Sequence, residues 1–406
     1  MAVTNTPTTL ASRLKQRFNK EVTTIIPAVS DLQRRLKFKK DMELGSSAEF
    51  DVTLAPEQGF SSGTGSVTLN GAVAQVAARA TVGAFSLILQ SRVSYDLITR
   101  SSTNEKAFAK FADGKFLNMV EAFRNREEWI ALNGRRSVGT VVSNTAGVIV
   151  ITPATWCPAM AASMIGATLT AFTALVAGTQ HNADVVVSAV NLVNRSYTVT
   201  GTNAAIVAND FLFLKGHHDD GRFGLMDIAY NTGTIFGISA ATNPLWAANT
   251  FDVGTSAITI GKILSGAALA AQKGCVGEKL VCYVPVQSFQ GLVADESSLI
   301  RYAAGKSKAE SGFEVITVLG ATGMIEIVPH IYMKDGEAVL FCPDYTYIIG
   351  SAEADTRIAK DGDIMFDLES TSDKEMRMFS DTCGVFSERP GYVVLFTRSD
   401  ALALHV

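Results

Sequence analysis

Cysteine pairs are missing from this sequence. Its five cysteines, Cys157, Cys275, Cys282, Cys342 and Cys383, lie far apart, form no CxxC and total an odd number. That excludes a disulfide scaffold and a thiolate zinc cluster, and leaves reduced thiols as the expectation. Histidine is also scarce, with five residues. Among them His217-His218-Asp219-Asp220 is the one run with metal-ligand residue types. Adjacent histidines on an extended segment point to opposite sides, so the run reads as a turn and only a weak metal candidate. Gly59-Phe60-Ser61-Ser62-Gly63 has the GxSxG spacing, but Pro56 precedes it and further Gly and Ser follow, where a nucleophile elbow needs a strand and then a helix. Gly305-Lys306-Ser307 ends like a phosphate-binding loop, yet position 300 is Ile300 where the first glycine belongs. With no paired-carboxylate motif and no cofactor loop, the reading is of a protein that is not an enzyme and takes no cofactor.

Charge is sparse too, at 18% of residues, below the usual quarter. From Ser137 to Ala183 there is no Lys, Arg, Asp or Glu. Pro158, Gly166 and several threonines interrupt that stretch, and no closely flanking cation anchors it, so it does not read as a membrane span. Met160, Met164, Leu169, Phe172, Leu175 and Val176 instead suggest a buried helix over Trp156–Gly178. No secretory leader is expected, because Arg13, Lys15 and Arg17 are not followed by an apolar block of roughly 7–15 residues.

What is present begins with a long amphipathic segment, Asn104–Asn133. Phe108, Phe111, Ala112, Phe116, Met119, Val120, Phe123 and Ile130 recur at helical spacing, with Ser101, Ser102 and Thr103 as caps and Asn133-Gly134 as a left-handed stop. Such a helix would run roughly 45 Å. Before it, Phe50, Val52 and Leu54 alternate, a Gly/Ser/Thr tip follows, and Val67, Leu69, Val76, Ala78, Ala80 and Val82 alternate again. This is a long hairpin. Two strands of small side chains are marginal alone in water, so the hairpin, with Phe60 at its tip, is expected to lie on another copy of the chain.

Net charge is −4 overall, yet residues 1–40 carry nine cations and two acids. A basic arm with Arg13, Lys15, Arg17, Arg34, Arg35, Lys37, Lys39 and Lys40 therefore precedes an acidic body, suited to phosphate or an acidic neighbouring surface. Downstream, strands are expected in 139–152 around an Asn-Thr turn, in 183–201 and in 208–216. A helix with a Gly274 stop is expected over 258–275, a strand at Leu280–Val286, and a helix within Val286–Ala304. Further strands are expected at Glu314–Leu319, Gly323–Tyr332, Ala338–Phe341, Asp363–Leu368 and Tyr392–Phe396.

Together these pieces resemble the major capsid proteins of tailed bacteriophages, whose coat-protein fold is shared with herpesviruses. The resemblance is carried by the hairpin followed by the long helix, by GLMDIAYNTGTIFGISAATNPLW (Gly224–Trp246) with Asp252–Gly254, and by EVITVLGATGMIEIVPHIYMKDGEAVLF (Glu314–Phe341). It implies an α+β phage coat-protein fold: an N-terminal arm (1–45), an extended β-hairpin loop (46–100), a peripheral domain (101–254) with a spine helix at 104–133 on an antiparallel sheet and a possible β-rich insertion, an axial α/β domain (255–380) and a C-terminal strand (381–406). It implies a homo-oligomer of hexamers and pentamers in an icosahedral shell around double-stranded DNA, assembled in the bacterial host cytoplasm. A separate scaffolding protein, a portal and a decoration protein are the partners it suggests. No position matches the family's crosslinking lysine and asparagine, so no crosslink is expected. The competing reading is a β-rich binding or adhesion protein.

Overall fold

The computed structural model describes residues 31–39, 47–93, 111–181, 184–219, 221–295, 315–320, 322–356, 365–367 and 374–405. The chain divides into two compact units, one drawing on Ser86–Arg126 and Ala352–Asp381, the other on Val29–Phe85, Glu127–Ser351 and Thr382–Val406.

In the first unit the strand Phe85–Val93 pairs with Lys374–Ser387, and Met365–Asp367 adds to the latter in antiparallel register. Alternation along FSLILQSRV turns Leu87 and Leu89 inward and leaves Ile88 exposed. They pack with Met119, Val120, Phe123 and Met378 in a small core. The long helix is described over Phe111–Asn133, as expected for that part of 104–133; residues 104–110 lie outside the described residues. Phe108 lies outside the described residues.

Besides the short pair Thr234–Ile235 with Ile238–Ser239, the second unit holds three larger sheet structures. The hairpin strands Ser47–Ala55 and Val76–Gly83 run antiparallel with Phe50 opposite Ala80 and Val52 opposite Ala78. Val67 and Leu69, expected on the second strand, instead lie in the tip, where the one further pairing is the Gln58–Val73 bridge.

A closed six-stranded barrel occupies 139–214, in the order Phe211–Leu214, Gly139–Thr145, Val148–Ile151, Ser196–Thr200, Val185–Asn191 and Thr168–Phe172. Closure removes free sheet edges, and Ile149, Ile151, Leu169, Val185, Val187 and Leu212 fill the interior. Its first hairpin turns at Ala146-Gly147, both at positive φ, rather than at the expected Asn-Thr pair.

The helix expected over Trp156–Gly178 is corrected: Pro158–Ala162 forms one short helix and Thr168–Phe172 is a strand. Gly166 at φ +83 breaks the run, and Leu169 then finds ladder partners in both Leu214 and Val185. Met160, Met164 and Leu169 are buried as expected, whereas Val176 is exposed. Burial alone does not separate a helix from a strand in so short an apolar run.

The third element is a six-stranded mixed sheet in the order Asn249–Asp252, Val394–Thr397, Glu337–Phe341, Leu280–Val284, Gly323–Pro329 and Ile316–Gly320. Leu280–Val284 and Glu337–Phe341 are buried at every position, which is why they read as continuous apolar runs. The helix Ile260–Gln272 packs on this sheet, starting at Thr259, whose side chain accepts from Lys262 N, and stopping before Gly274 at φ +101. Gly266 admits the Phe396 ring against the helix backbone, where a Cβ would overlap it.

The long helix stops at Gly134 for a packing reason as well as a conformational one. Gly134 has φ +60, and a Cβ there would overlap Asp227 Oδ2 and Gly224 N. Asp227 Oδ2 accepts from Arg135 N and Gly224 N, each at 2.9 Å. Gly134→Ala is therefore expected to cost about 2–4 kcal/mol in denaturant unfolding, while Gly233→Ala, facing open space, should stay within about 0.5 kcal/mol of the parent.

Candidate assembly surface

The hairpin changes character along its length. At its base Ala48, Ala80 and Val82 are buried, and Phe50 stacks on Phe386 at 4.5 Å with Tyr347 edge-on at 6.2 Å. Val52 and Leu54 are half-buried. Beyond Ala55 the chain's own cover ends: Phe60 is 83% and Leu69 82% exposed, with Val67, Val73 and Val76 exposed beside them. The tip is nevertheless ordered by local bonds, since Asn70 N donates to Ser61 Oγ and Asn70 Nδ2 to Phe60 O, both at 2.7 Å. Ser61 is thus a turn residue, with no helix after it.

Where the hairpin leaves the second unit, Arg222 is the anchor. Its Nε donates to Phe85 O at 3.2 Å and its Nη1 to Glu127 Oε1 at 3.0 Å, with both side chains largely buried.

The basic run is bound by this chain's own acids. Arg35 pairs with Asp31 at 2.8 Å and Glu326 at 2.9 Å, Lys39 with Glu388 at 3.0 Å, and Lys37 more loosely with Asp344 at 3.6 Å. Burial opposes ionisation of Glu326, but Lys279 and Arg35 outweigh it and hold the carboxyl below its usual range. Lys39 also sits over the Tyr347 ring at 3.5 Å. Arg34 is exposed; Arg13, Lys15, Arg17 and Lys40 lie outside the described residues. The expectation of a run free to meet phosphate is thereby revised for Arg35, Lys37 and Lys39.

The backbone of the same segment is equally held. Lys37–Lys39 forms a parallel strand beside Tyr347–Ile349. Just before it, Leu32 and Leu36 are buried, and Leu32 N and Gln33 N donate to the two oxygens of Glu128 at 2.7 and 3.2 Å. Glu128 lies on the long helix and is fully buried. His330 completes the arrangement. Its Nδ1 accepts from Tyr332 N at 3.2 Å, so Nε2 carries the proton and donates to Glu128 Oε1 at 3.0 Å. Tyr283 donates to Asp31 Oδ2 at 2.9 Å, and burial, then the Asp31 charge, push its phenol well above the usual range. None of these partners was visible in the sequence, because Glu128 and His330 carry no local motif and stand 202 positions apart.

Of the other residues singled out by sequence, Phe123 is buried and Val120 half-buried in the first unit's core, while Phe111 and Phe116 lie within the helix. The two histidines of the candidate metal run are drawn apart. His218 stacks on Phe172 at 3.8 Å, and its Nε2 lies 3.1 Å from Ala174 O. His217 meets Phe85 edge-on at 5.8 Å. Asp219 Oδ2 accepts from Ala177 N at 3.0 Å and lies 3.2 Å from His218 Nδ1; Asp220 lies outside the described residues. Among the described residues a different trio, Glu278, Cys342 and Asp344, has ligand atoms within 4.8 Å of one another. No helix among the described residues is long and apolar enough to cross a membrane.

No protein-family model matches the chain, and no curated protein matches it. Solved structures do. The Cyanophage A-1(L) capsid asymmetric unit aligns over 98% of this chain and 97% of its own, at 12% identity and TM-score 0.54. The capsid of the native GTA particle aligns over 98% and 99%, at 8% identity and TM-score 0.53. The capsid of Cyanophage P-SCSP1u aligns over 96% and 94%, at 11% identity and TM-score 0.50. The fold is the α+β coat-protein fold of tailed-phage capsids, as the order of elements in the sequence implied.

Glu128→Gln replaces one acceptor oxygen with a donor that faces a backbone N–H, that of Leu32 or of Gln33. It is expected to weaken the docking of 31–39 by about 2–4 kcal/mol. The change reads out as faster hydrogen exchange at Leu32 and Gln33 and faster tryptic cleavage after Arg34 and Arg35, with little change in the barrel amides.

Proposed function

We propose that this chain is a major capsid protein, a non-catalytic subunit that self-assembles into the icosahedral head enclosing the double-stranded DNA of a tailed phage. The observation that carries the reading is the hairpin tip: an ordered, apolar segment that its own chain leaves bare, on a fold that aligns end to end with capsid chains. Exposed apolar surface of this kind marks a protein contact. A closed shell supplies one copy of that contact per subunit through symmetry, so interfaces of roughly 1,000 Å² add up around the particle.

Within that reading, residues 46–100 form the extended loop, the long helix the spine of a peripheral domain, and the six-stranded sheet with helix Ile260–Gln272 the axial domain. The barrel is the β-rich insertion after the spine. Hexamers and pentamers are the assembly units, and a separate scaffolding protein, a portal and a decoration protein are the expected partners. Assembly takes place in the host cytoplasm. Packaged DNA is met without sequence readout, through Arg34 and the cations of residues 1–30, since Arg35, Lys37 and Lys39 are already paired.

Deleting Gln58–Ser66 tests the reading. The paired strands Ser47–Ala55 and Val76–Gly83 remain, so the subunit should keep its far-ultraviolet spectrum and melt within about 1 °C of the parent, a shift of under about 1 kcal/mol for a chain of this size. In cells supplying the phage head proteins it should yield no regular shells by negative-stain microscopy. Normal heads from the deleted subunit would overturn the proposal.

A further inference from the structure

A cleft of about 400 Å³ opens in the second unit between the barrel, the 330–336 loop and the last residues of the chain, lined by Trp156, Leu192, Val193, Arg195, Asp335 and Leu402 among others. Its rim is apolar and open: Val193 is 87% exposed, with Leu192 and Leu402 exposed beside it. Arg195 holds a left-handed backbone at φ +50, and its Nε is buried without a hydrogen-bond partner among the described residues. A buried guanidinium N–H without an acceptor is costly, so an incoming carboxylate at this side chain is favoured. Asp335 is held by its backbone, N donating to Trp156 O at 3.0 Å and O accepting from Leu404 N at 2.7 Å. Burial pushes its carboxyl up to about 6, against the pull of Arg195. The cleft thus offers an apolar rim, one unsatisfied cationic donor and one poorly solvated acceptor.

The chain carries a segment with the complementary set. Across 56–75 the sole charged residue is Glu57, and three positions later comes Phe60, the most exposed aromatic side chain of the described residues. Asn70 fixes the backbone at Phe60 and Ser61, so the carboxylate and the ring are presented on one ordered turn. We propose that this cleft receives the hairpin tip of a second copy of the chain, with Phe60 against Trp156, Leu192 and Val193, and Glu57 on Arg195. Asp335 then accepts from a backbone N–H of the incoming turn, which keeps its charge from facing Glu57 unmet. This rests on the shell reading above and adds the surface that takes the tip. Charge pairing between two desolvated partners selects register, while the aromatic ring supplies the anchor.

The test is a charge swap in cells making the phage head proteins, counting particles by microscopy and checking each purified subunit by thermal melt. Glu57→Arg and Arg195→Glu should each cut particle yield at least tenfold, and the double variant should restore it to within twofold of the parent. As a second measurement that does not depend on Arg195 tolerating change, Gln58→Cys with Val193→Cys should give a subunit ladder on non-reducing gels of oxidised particles, since the native cysteines are buried. Particles from the parent without a ladder, or without rescue in a double variant whose melt matches the parent's, would overturn the cleft assignment and leave the shell reading standing. A parent that forms no particles and no oligomer with the head proteins present would overturn the shell reading instead.

Discussion

One buried carboxylate organises the second unit. Glu128 sits at zero exposure on the last turns of the long helix, where an unpaired charge would cost several kcal/mol. Three donors meet it: two backbone amides from the segment at 32–33 and the imidazole of His330. Helix, arm and six-stranded sheet are therefore tied to one another through a single side chain, and none of the three can shift without stranding a buried polar group. The adjacent residue, Glu127, does the equivalent for the hairpin exit through Arg222 and Phe85 O. From Glu128 to Gly134 the helix is buried all round, unlike the striped segment before it, because here it is surrounded by elements that need its acids rather than covered on one face.

That arrangement also decides what the sequence could disclose. Features governed by neighbours in the chain were legible: the helical stripe of Met119, Val120, Phe123 and Ile130, the left-handed stop at Gly134, the Gly274 stop, and the alternation of Phe50, Val52 and Leu54. Features governed by distant partners were not. Arg35, Lys37 and Lys39 look like a solvated basic run until Glu326, Glu388 and Asp344 are placed beside them, some 290 to 350 positions away. The two histidines of the candidate metal run part for a related reason. His218 finds an aromatic face on Phe172, a residue expected on a helix and found on a barrel strand.

The barrel shows how topology overrides local spacing. Met160, Met164 and Leu169 satisfy a helical period and are all buried, yet the chain uses the first on a helical turn and the last in a ladder. Gly166 permits the change of direction, and closing the sheet between Phe211–Leu214 and Val185–Asn191 requires a strand at Thr168–Phe172. A sequence window sees the apolar period but not the vacant edge it must fill.

The tip is the complementary case, because its composition favours being held by something else. Gly59, Gly63, Gly65 and Gly71 with intervening Ser and Thr give a turn with little side-chain area to bury, so Phe60 and Leu69 gain nothing from folding back. Each large apolar side chain left in water forgoes roughly 1.5–3 kcal/mol of burial. In an isolated subunit that is a small loss against a core the size of the six-stranded sheet's. In a closed assembly the same loss becomes a gain at every copy, recovered only when another molecule supplies the cover. Backbone bonds from Asn70 keep the tip ordered meanwhile, so less conformational entropy is lost on contact than a floppy loop would lose. An ordered, bare tip on a body whose own core is already complete is therefore the form expected of a segment whose partner is another molecule.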